Sequence, residues 1–324
     1  MQVFITGASG FVGGAAARWL RECGHTIRAM SRSKRSDAAI RAAGATPIRC
    51  DLAGVRASHL AGAEAVVHCA AFVEAWGPRD AWFKGNVLGT QAVLDAARAA
   101  GVRRFVHIGS EAALVHGQPL LGVDESYPLA PKSPYPYCAT KAQAEQRVRA
   151  ANAPPAFETI VLRPRFIWGP GDTTLLPTIE AMARAGRWRW IDYGRAETST
   201  THIANLSRAI ELALTEGRSG EAYFILDDGT RTLRTIIEGM AASRGITLPN
   251  ASIPARVADA AGLACELVWR ALRLRSDPPL TRHAAMVMSR DCVLKGDKAK
   301  TELGYEPVIT VDEGLAAMAA AARA

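Results

Sequence analysis

Residues 6–13, Thr6-Gly7-Ala8-Ser9-Gly10-Phe11-Val12-Gly13, follow an apolar run at residues 2–6 and open a helical pattern at residues 12–23. A strand that turns through glycines into a helix lays a dinucleotide pyrophosphate on the amides of the helix start. Gly7 permits the tight turn, Gly10 lets phosphates approach the backbone, and Gly13 lets the helix pack close to the sheet. Ser9, Phe11 and Val12 complete the candidate loop. The spacing is Gly-x-x-Gly-x-x-Gly rather than the commoner Gly-x-Gly-x-x-Gly, and glycines also mark ordinary turns. Its place directly after the first strand is what gives it weight.

The pattern then repeats. Strand-like runs at residues 26–30, 46–50, 65–68 and 105–108 alternate with helical stretches such as 12–23 and 88–100. A sixth strand is predicted over 157–162, after the breaker cluster Asn152-Ala153-Pro154-Pro155. Such alternation predicts an α/β fold, a Rossmann-type doubly wound parallel sheet with helices on both faces. Past residue 162 the alternation weakens. Gly169-Pro170-Gly171-Asp172 reads as a turn, 174–184 and 201–214 as helices, 222–226 as a strand and 254–275 as an amphipathic helix. We therefore expect a dinucleotide-binding domain over residues 1–164 plus about 200–226. A smaller interleaved substrate lobe would take 165–199 and about 227–324. The tail, 316–324, is rich in alanine.

The second strand ends at Met30-Ser31-Arg32. Sites that select NAD usually carry an acidic residue here for the ribose 2′-hydroxyl. Arg32, with Lys34 and Arg35 behind it, instead suits the 2′-phosphate of NADP; the alternative is a solvated basic loop. NADP is thus expected over NAD. Asp51, followed by Leu52, is placed to bond the adenine amino group. His68-Cys69-Ala70-Ala71 is placed to pass beside the adenine ribose.

The chemistry is expected at Tyr137-Cys138-Ala139-Thr140-Lys141 and at Ser110, which ends an apolar run. Four residues apart, the phenol and the ammonium share one helix face. At about 4 Å and an effective dielectric near 20 the cation is worth roughly 4 kcal/mol, about 3 pKa units toward the phenolate. The spacing alone therefore predicts a tyrosine made more acidic for proton transfer.

Composition excludes several classes. An apolar share of 49% and a charged share of 22% fit a globular chain. The six cysteines are scattered without paired or metal-like spacing, which predicts reduced thiols, a cytoplasmic setting and no metal. A strand beginning at Gln2 leaves no room for a signal peptide, and no apolar run reaches membrane-span length. The net charge of +8 is spread along the chain, so a nucleic-acid partner is not expected.

Together these residues resemble an extended short-chain dehydrogenase/reductase. The glycine motif, Asp51-Leu52, His68-Cys69-Ala70-Ala71, Asn86-Val87-Leu88-Gly89-Thr90, Ser110, Tyr137 with Lys141, and Leu162-Arg163-Pro164 fall in family order across essentially the whole chain. Trp76-Gly77-Pro78, Ile167-Trp168-Gly169-Pro170-Gly171-Asp172 and Pro278-Pro279-Leu280-Thr281-Arg282 are similar to the 3β-hydroxysteroid and sterol-4α-carboxylate 3-dehydrogenase branch, and to 2-alkyl-3-oxoalkanoate reductases. The resemblance implies Tyr137 as general acid or base, Lys141 on the nicotinamide ribose, and Ser110 on the substrate oxygen. It places Ile108, Pro164 and Ile167 beside the cofactor. It also implies a homodimer through helices near 88–100 and 137–151. Ile108-Gly109-Ser110-Glu111 departs from the family's run of hydroxyls, so only Ser110 can serve locally.

Several readings stay open. Glu111 is either a substrate contact or a helix-start carboxylate facing the dipole. Trp76, Tyr135, Phe166 and Trp168 are candidates for the substrate pocket. Trp168, Trp188, Trp190 and Tyr193 could instead pack the small lobe. His202 with Asn205 reads as a structural helix start rather than a metal pair. The 254–275 helix either packs on the sheet lobe or lies on a membrane surface. The activity expected is an NADP-dependent interconversion of hydroxyl and ketone on a small hydrophobic substrate, the 3-position of a sterol or a long-chain β-keto acid. A nucleotide-sugar epimerase or dehydratase is the first rival, opposed by Arg32. An inactive cofactor-sensing protein is the second, opposed by the presence of both Tyr137 and Lys141.

Overall fold

The computed structural model describes residues 1–274 and 276–321. Seven parallel strands form the central sheet: β1 (Gln2–Thr6), β2 (Thr26–Ser31), β3 (Thr46–Arg49), β4 (Ala65–His68), β5 (Arg104–Ile108), β6 (Glu158–Pro164) and β7 (Ala222–Ile225). Their lateral order is β7-β6-β5-β4-β1-β2-β3. The order reverses between β4 and β1, and a crevice opens at the carboxyl ends of strands at such a switch point.

Both faces of the sheet are covered, which is why its strands read as apolar runs rather than alternating ones. Val3, Ile5, Val67, Val106 and Ile108 pack beneath α1 (Phe11–Glu22) and α4 (Ile203–Ala213), through Leu20, Leu206 and Ile210. Phe4, Val66, Phe105 and Val161 pack beneath α2 (Gly89–Ala99) and α3 (Pro136–Ala150), through Val93, Leu94 and Val148. Each fully buried side chain of this size contributes about 1.5–3 kcal/mol.

A second, four-stranded sheet interleaves distant parts of the chain. Its lateral order is Arg231–Thr232, Glu197–Thr198, Cys292–Leu294, Leu120–Val123. Asp227 fastens the lobe to the main sheet, accepting from Trp168 Nε1 (2.8 Å), Thr200 Oγ1 (2.7 Å), His202 N (2.6 Å) and Asn205 Nδ2 (2.7 Å).

The helix predicted over 201–214 begins only at Ile203. Thr201–His202 is extended and pairs with Ile167–Trp168, and His202 Nδ1 accepts from Ala204 N at 3.2 Å as the helix cap. Trp188 and Trp190 pack edge-on, 5.2 Å apart, in the lobe core with Ile179 and Leu233. The amphipathic stretch forms α5 (Ala255–Ala271), shorter than predicted; residue 275 lies outside the described residues, as does the end of the alanine-rich tail. α5 buries only Ala258 and Gly262. Gly262 lets it press on the start of α6 (Arg282–Ser289), since a Cβ there would lie 2.9 Å from Arg282 N. Its apolar side faces outward: Leu263, Leu267, Val268 and Leu272 are 43%, 59%, 46% and 65% exposed. Packing against the sheet lobe is therefore not what this side of the helix does. Among the described residues no helix is long and apolar enough to cross a membrane.

Candidate active site

The three loop glycines do different jobs. Gly7 has φ of 74°, and a Cβ there would sit 2.8 Å from Ala70 N. At Gly13 a Cβ would lie 2.4 Å from Gly7 O. Gly10 is not demanded by packing, because a Cβ would meet only Gly7 O, at 3.4 Å. The space before it is free for a ligand to approach. Gly10 caps α1 without a side-chain hydrogen bond, and the first turn holds no acidic residue. Those amides are left for an anion, as a pyrophosphate requires. Ser9 is exposed beside them, Val12 half-buried, and Phe11 lies toward Gly171 of the 169–172 turn.

Arg32, Lys34 and Arg35 are exposed and make no ion pair among the described residues. The nearest carboxylate in sequence, Asp37, is engaged by Ser31 Oγ and Arg49 Nη2, both at 2.5 Å. Asp51 is exposed and accepts from Gly54 N at 2.7 Å; Leu52 rests on Gly89. His68 is held between Thr6 Oγ1 (2.7 Å) and Thr90 Oγ1 (2.9 Å), and burial lowers its pKa to about 3. This neutral clamp sets the path of Cys69, Ala70 and Ala71 past the glycine turn, with Ala70 N donating to Thr6 Oγ1 at 3.1 Å. Burial pushes the Cys69 thiol up to about 12.

α3 brings the chemistry to the crevice. Tyr135 precedes it, Pro136 starts it, and Tyr137 and Lys141 follow one turn apart. Asn86 lies in a π-helical turn, Phe83–Leu88. It accepts from Phe72 N (2.6 Å) and donates to Thr140 Oγ1 (3.1 Å), which ties the loop after β4 to α3. Lys141 is buried and donates to Ile108 O at 2.6 Å. Burial lowers its pKa from 10.5 to about 8. Ser110 Oγ accepts from Ala112 N (3.1 Å) and donates to Glu111 Oε2 (2.7 Å).

The expected acidification of Tyr137 is not what this arrangement produces. Burial first, then the Glu111 carboxylate, raise the phenol's pKa, and the Ser110 hydroxyl nearby opposes them. The ammonium is committed to the Ile108 carbonyl, so helix spacing overstated its effect on the phenol. Glu111 follows its helix-start reading, as the acidic residue in the first turn of Glu111–Leu114. It is buried, and Oε1 accepts from Arg165 Nη1 at 2.6 Å, so it serves Ser110 rather than solvent or substrate. Trp168 is also corrected: fully buried, with its indole N–H on Asp227, it belongs to the lobe core and touches no cleft.

Trp76 and Tyr135 do line a cleft with Tyr137, together with Trp82, Glu266, Arg270, Arg282 and His283. Arg270 stacks over Trp76 at 5.0 Å. Phe166, with φ of 46°, packs between two lobe clusters; Pro164 ends β6, and Ile167 pairs with Thr201. Sequence reasoning missed Arg165 and His283. Arg165 had a signal, because a carboxylate beside the serine at a strand end needs a cation if buried. His283, a lone histidine in the far lobe, had none.

A doubly wound sheet with an open glycine turn at its switch point, and serine, tyrosine and lysine converging there, defines a dinucleotide-dependent class of protein. The model of the NAD dependent epimerase/dehydratase family matches residues 3–225, and the chain belongs to that family. It is 41% identical over 98% of its length, and 96% of the other, to 4-hydroxy-2-methyl-3-oxo-4-farnesyl-3,4-dihydroquinoline-1-oxide ketoreductase of Stigmatella aurantiaca. It is 37% identical over the full length of both chains to 2-alkyl-3-oxoalkanoate reductase of Stenotrophomonas maltophilia (strain K279a). Among solved structures, UDP-glucuronic acid 4-epimerase from Bacillus cereus in complex with NAD superposes with a TM-score of 0.75. That match covers 100% of this chain and 99% of that one at 19% identity, a likeness of fold.

Proposed function

We propose that the protein is an NADP-dependent oxidoreductase that interconverts a ketone and a hydroxyl on a hydrophobic substrate. The observation that carries this is that Ser110, just past the end of β5, stands against α3, where Tyr137 and Lys141 follow one turn apart and Lys141 is fastened to Ile108 O. NADPH, when bound, supplies the hydride. The chain's residues supply position and a proton. Tyr137 donates its phenolic proton to the carbonyl oxygen, and its raised pKa keeps that proton in place until the oxygen becomes basic. Ser110, oriented by Glu111 and Ala112 N, bonds the same oxygen as charge develops. Lys141, with a pKa of about 8, is mainly cationic at pH 7 and would bond the nicotinamide ribose of the bound cofactor. Arg32, Lys34 and Arg35, free of carboxylate partners among the described residues, favour the 2′-phosphate.

Two relatives name ketone chemistry, a ketoreductase and a 3-oxoalkanoate reductase. In both names a second oxygen function stands one or two carbons from the ketone, and both substrates carry long or alkyl apolar groups. We extend that class, long-chain β-keto acids and 3-oxygenated sterols, to this chain. The outward leucines of α5, flanked by the exposed Arg256 and Arg273, support contact with a membrane surface from which such substrates come. The test is NADPH oxidation with long-chain β-keto acids beside NADP reduction with 3β-hydroxysterols. Tyr137→Phe should lower turnover by about 10²–10⁴-fold while NADPH still binds. Turnover at the wild-type level in that variant would reject the reading.

A further inference from the structure

We propose that His283 contacts the substrate directly and binds its second oxygen function, the one beside the reacting carbonyl. The inference rests on the reading above and concerns what selects the substrate.

The imidazole comes from the far lobe, yet its ring centroid lies 5.7 Å from Tyr135 and 5.8 Å from Tyr137. It lines the same cleft as Tyr137, Trp76 and Trp82. Among the described residues neither ring nitrogen has a hydrogen-bond partner; of the polar groups nearby, Trp82 Nε1 is also unpaired, while Ser110, Glu111 and Glu266 are engaged. Ser110 is bonded to Glu111, Glu111 to Arg165, and Glu266 to Arg282. The imidazole is half-buried on the cleft wall, so its nitrogens are open to a polar group of whatever occupies that cleft. Burial lowers the pKa of His283 to about 4, with the Glu111 charge opposing, so the ring is neutral at pH 7. It then offers one N–H donor and one acceptor.

Its position is fixed from three sides. Thr281 Oγ1 caps the helix at Ala284 N (3.1 Å), Glu266 accepts from Arg282 N (2.9 Å) and Nε (3.1 Å), and Gly262 admits α5 against the same turn. A side chain held so firmly beside the reacting phenol is built to make a directed contact. With the carbonyl oxygen on Tyr137 and Ser110, an N–H one ring away reaches an oxygen one or two carbons along the substrate.

The test uses the full chain loaded with NADPH, so that an alcohol ligand cannot be oxidised. Binding of a long-chain 3-hydroxy acid and of a secondary alcohol of equal length without the carboxyl group is measured by calorimetry. The wild type should bind the acid about 10–100-fold tighter, the size of one hydrogen bond to a carboxylate. His283→Phe keeps a ring against both tyrosines and should lose that preference, while His283→Gln should regain part of it. Unchanged preference in His283→Phe, no preference in the wild type, or no binding of either ligand would overturn the proposal. Tyr137→Phe separates the two ideas. If it keeps full turnover while His283→Phe loses the binding preference, the oxidoreductase reading fails and this contact stands.

Discussion

Replacing Lys141 by methionine should abolish turnover and at the same time change how stability depends on pH. The ammonium is buried, and its pKa falls from 10.5 to about 8. At about 1.4 kcal/mol per pH unit, holding it charged in the fold costs roughly 3 kcal/mol. The sign follows from proton binding. Between pH 8 and 10.5 the unfolded lysine holds its proton and the folded one has lost it. Stability of the wild type therefore rises with pH through that window and carries the full cost below it. Methionine removes the cost but leaves Ile108 O without its donor, a loss of about 1–3 kcal/mol. Near pH 7 the variant should thus be equal to the wild type or up to about 2 kcal/mol more stable. By pH 10.5 the wild type should have gained about 3 kcal/mol relative to the variant. Urea midpoints of the cofactor-free protein, followed by tryptophan fluorescence across pH 7–10.5, measure the difference. A difference that stays flat over that range would show that Lys141 is not a desolvated cation, and the account of the site's electrostatics would fail.

Other consequences are simpler to read. Arg32→Ser should weaken NADPH binding about 10–100-fold, the worth of one charge-assisted hydrogen bond, and leave NADH unchanged, as paired dissociation constants would show. Glu111→Gln strands the Arg165 guanidinium without its counter-charge and should cost about 3–5 kcal/mol in urea denaturation. Leu267→Glu with Leu272→Glu, both outward on α5, should shift stability by less than about 1 kcal/mol. The same pair should abolish co-sedimentation with anionic lipid vesicles; retained co-sedimentation would remove the membrane contact.

The sheet was legible because its inner strands are short runs apolar on both sides, whereas the edge strand Thr46–Arg49, exposed at both ends, stood out only by its spacing. The glycine turn was legible for a similar reason, since Gly7 and Gly13 answer to local sterics that spacing reports. What spacing could not report was direction. Tyr137 and Lys141 do share a helix face, yet the ammonium reaches across to a β5 carbonyl, and the phenol's surroundings are set by Glu111 from another element. Trp168 reads like a pocket aromatic until Asp227, far along the chain, takes its N–H. Arg165 and His283 acquire meaning only when the lobe folds back. The 254–275 pattern was the reverse case: its periodicity was plain, but periodicity does not say whether a stripe faces protein or solvent.

Cys292–Leu294 lies between Glu197–Thr198 and Leu120–Val123, parallel to both. Until that late segment has left the ribosome, Leu120–Val123 has no neighbour and presents a bare hydrogen-bonding edge. Closure of the four-stranded sheet thus waits on residues 292–294, and a nascent chain stopped before them would keep that edge exposed.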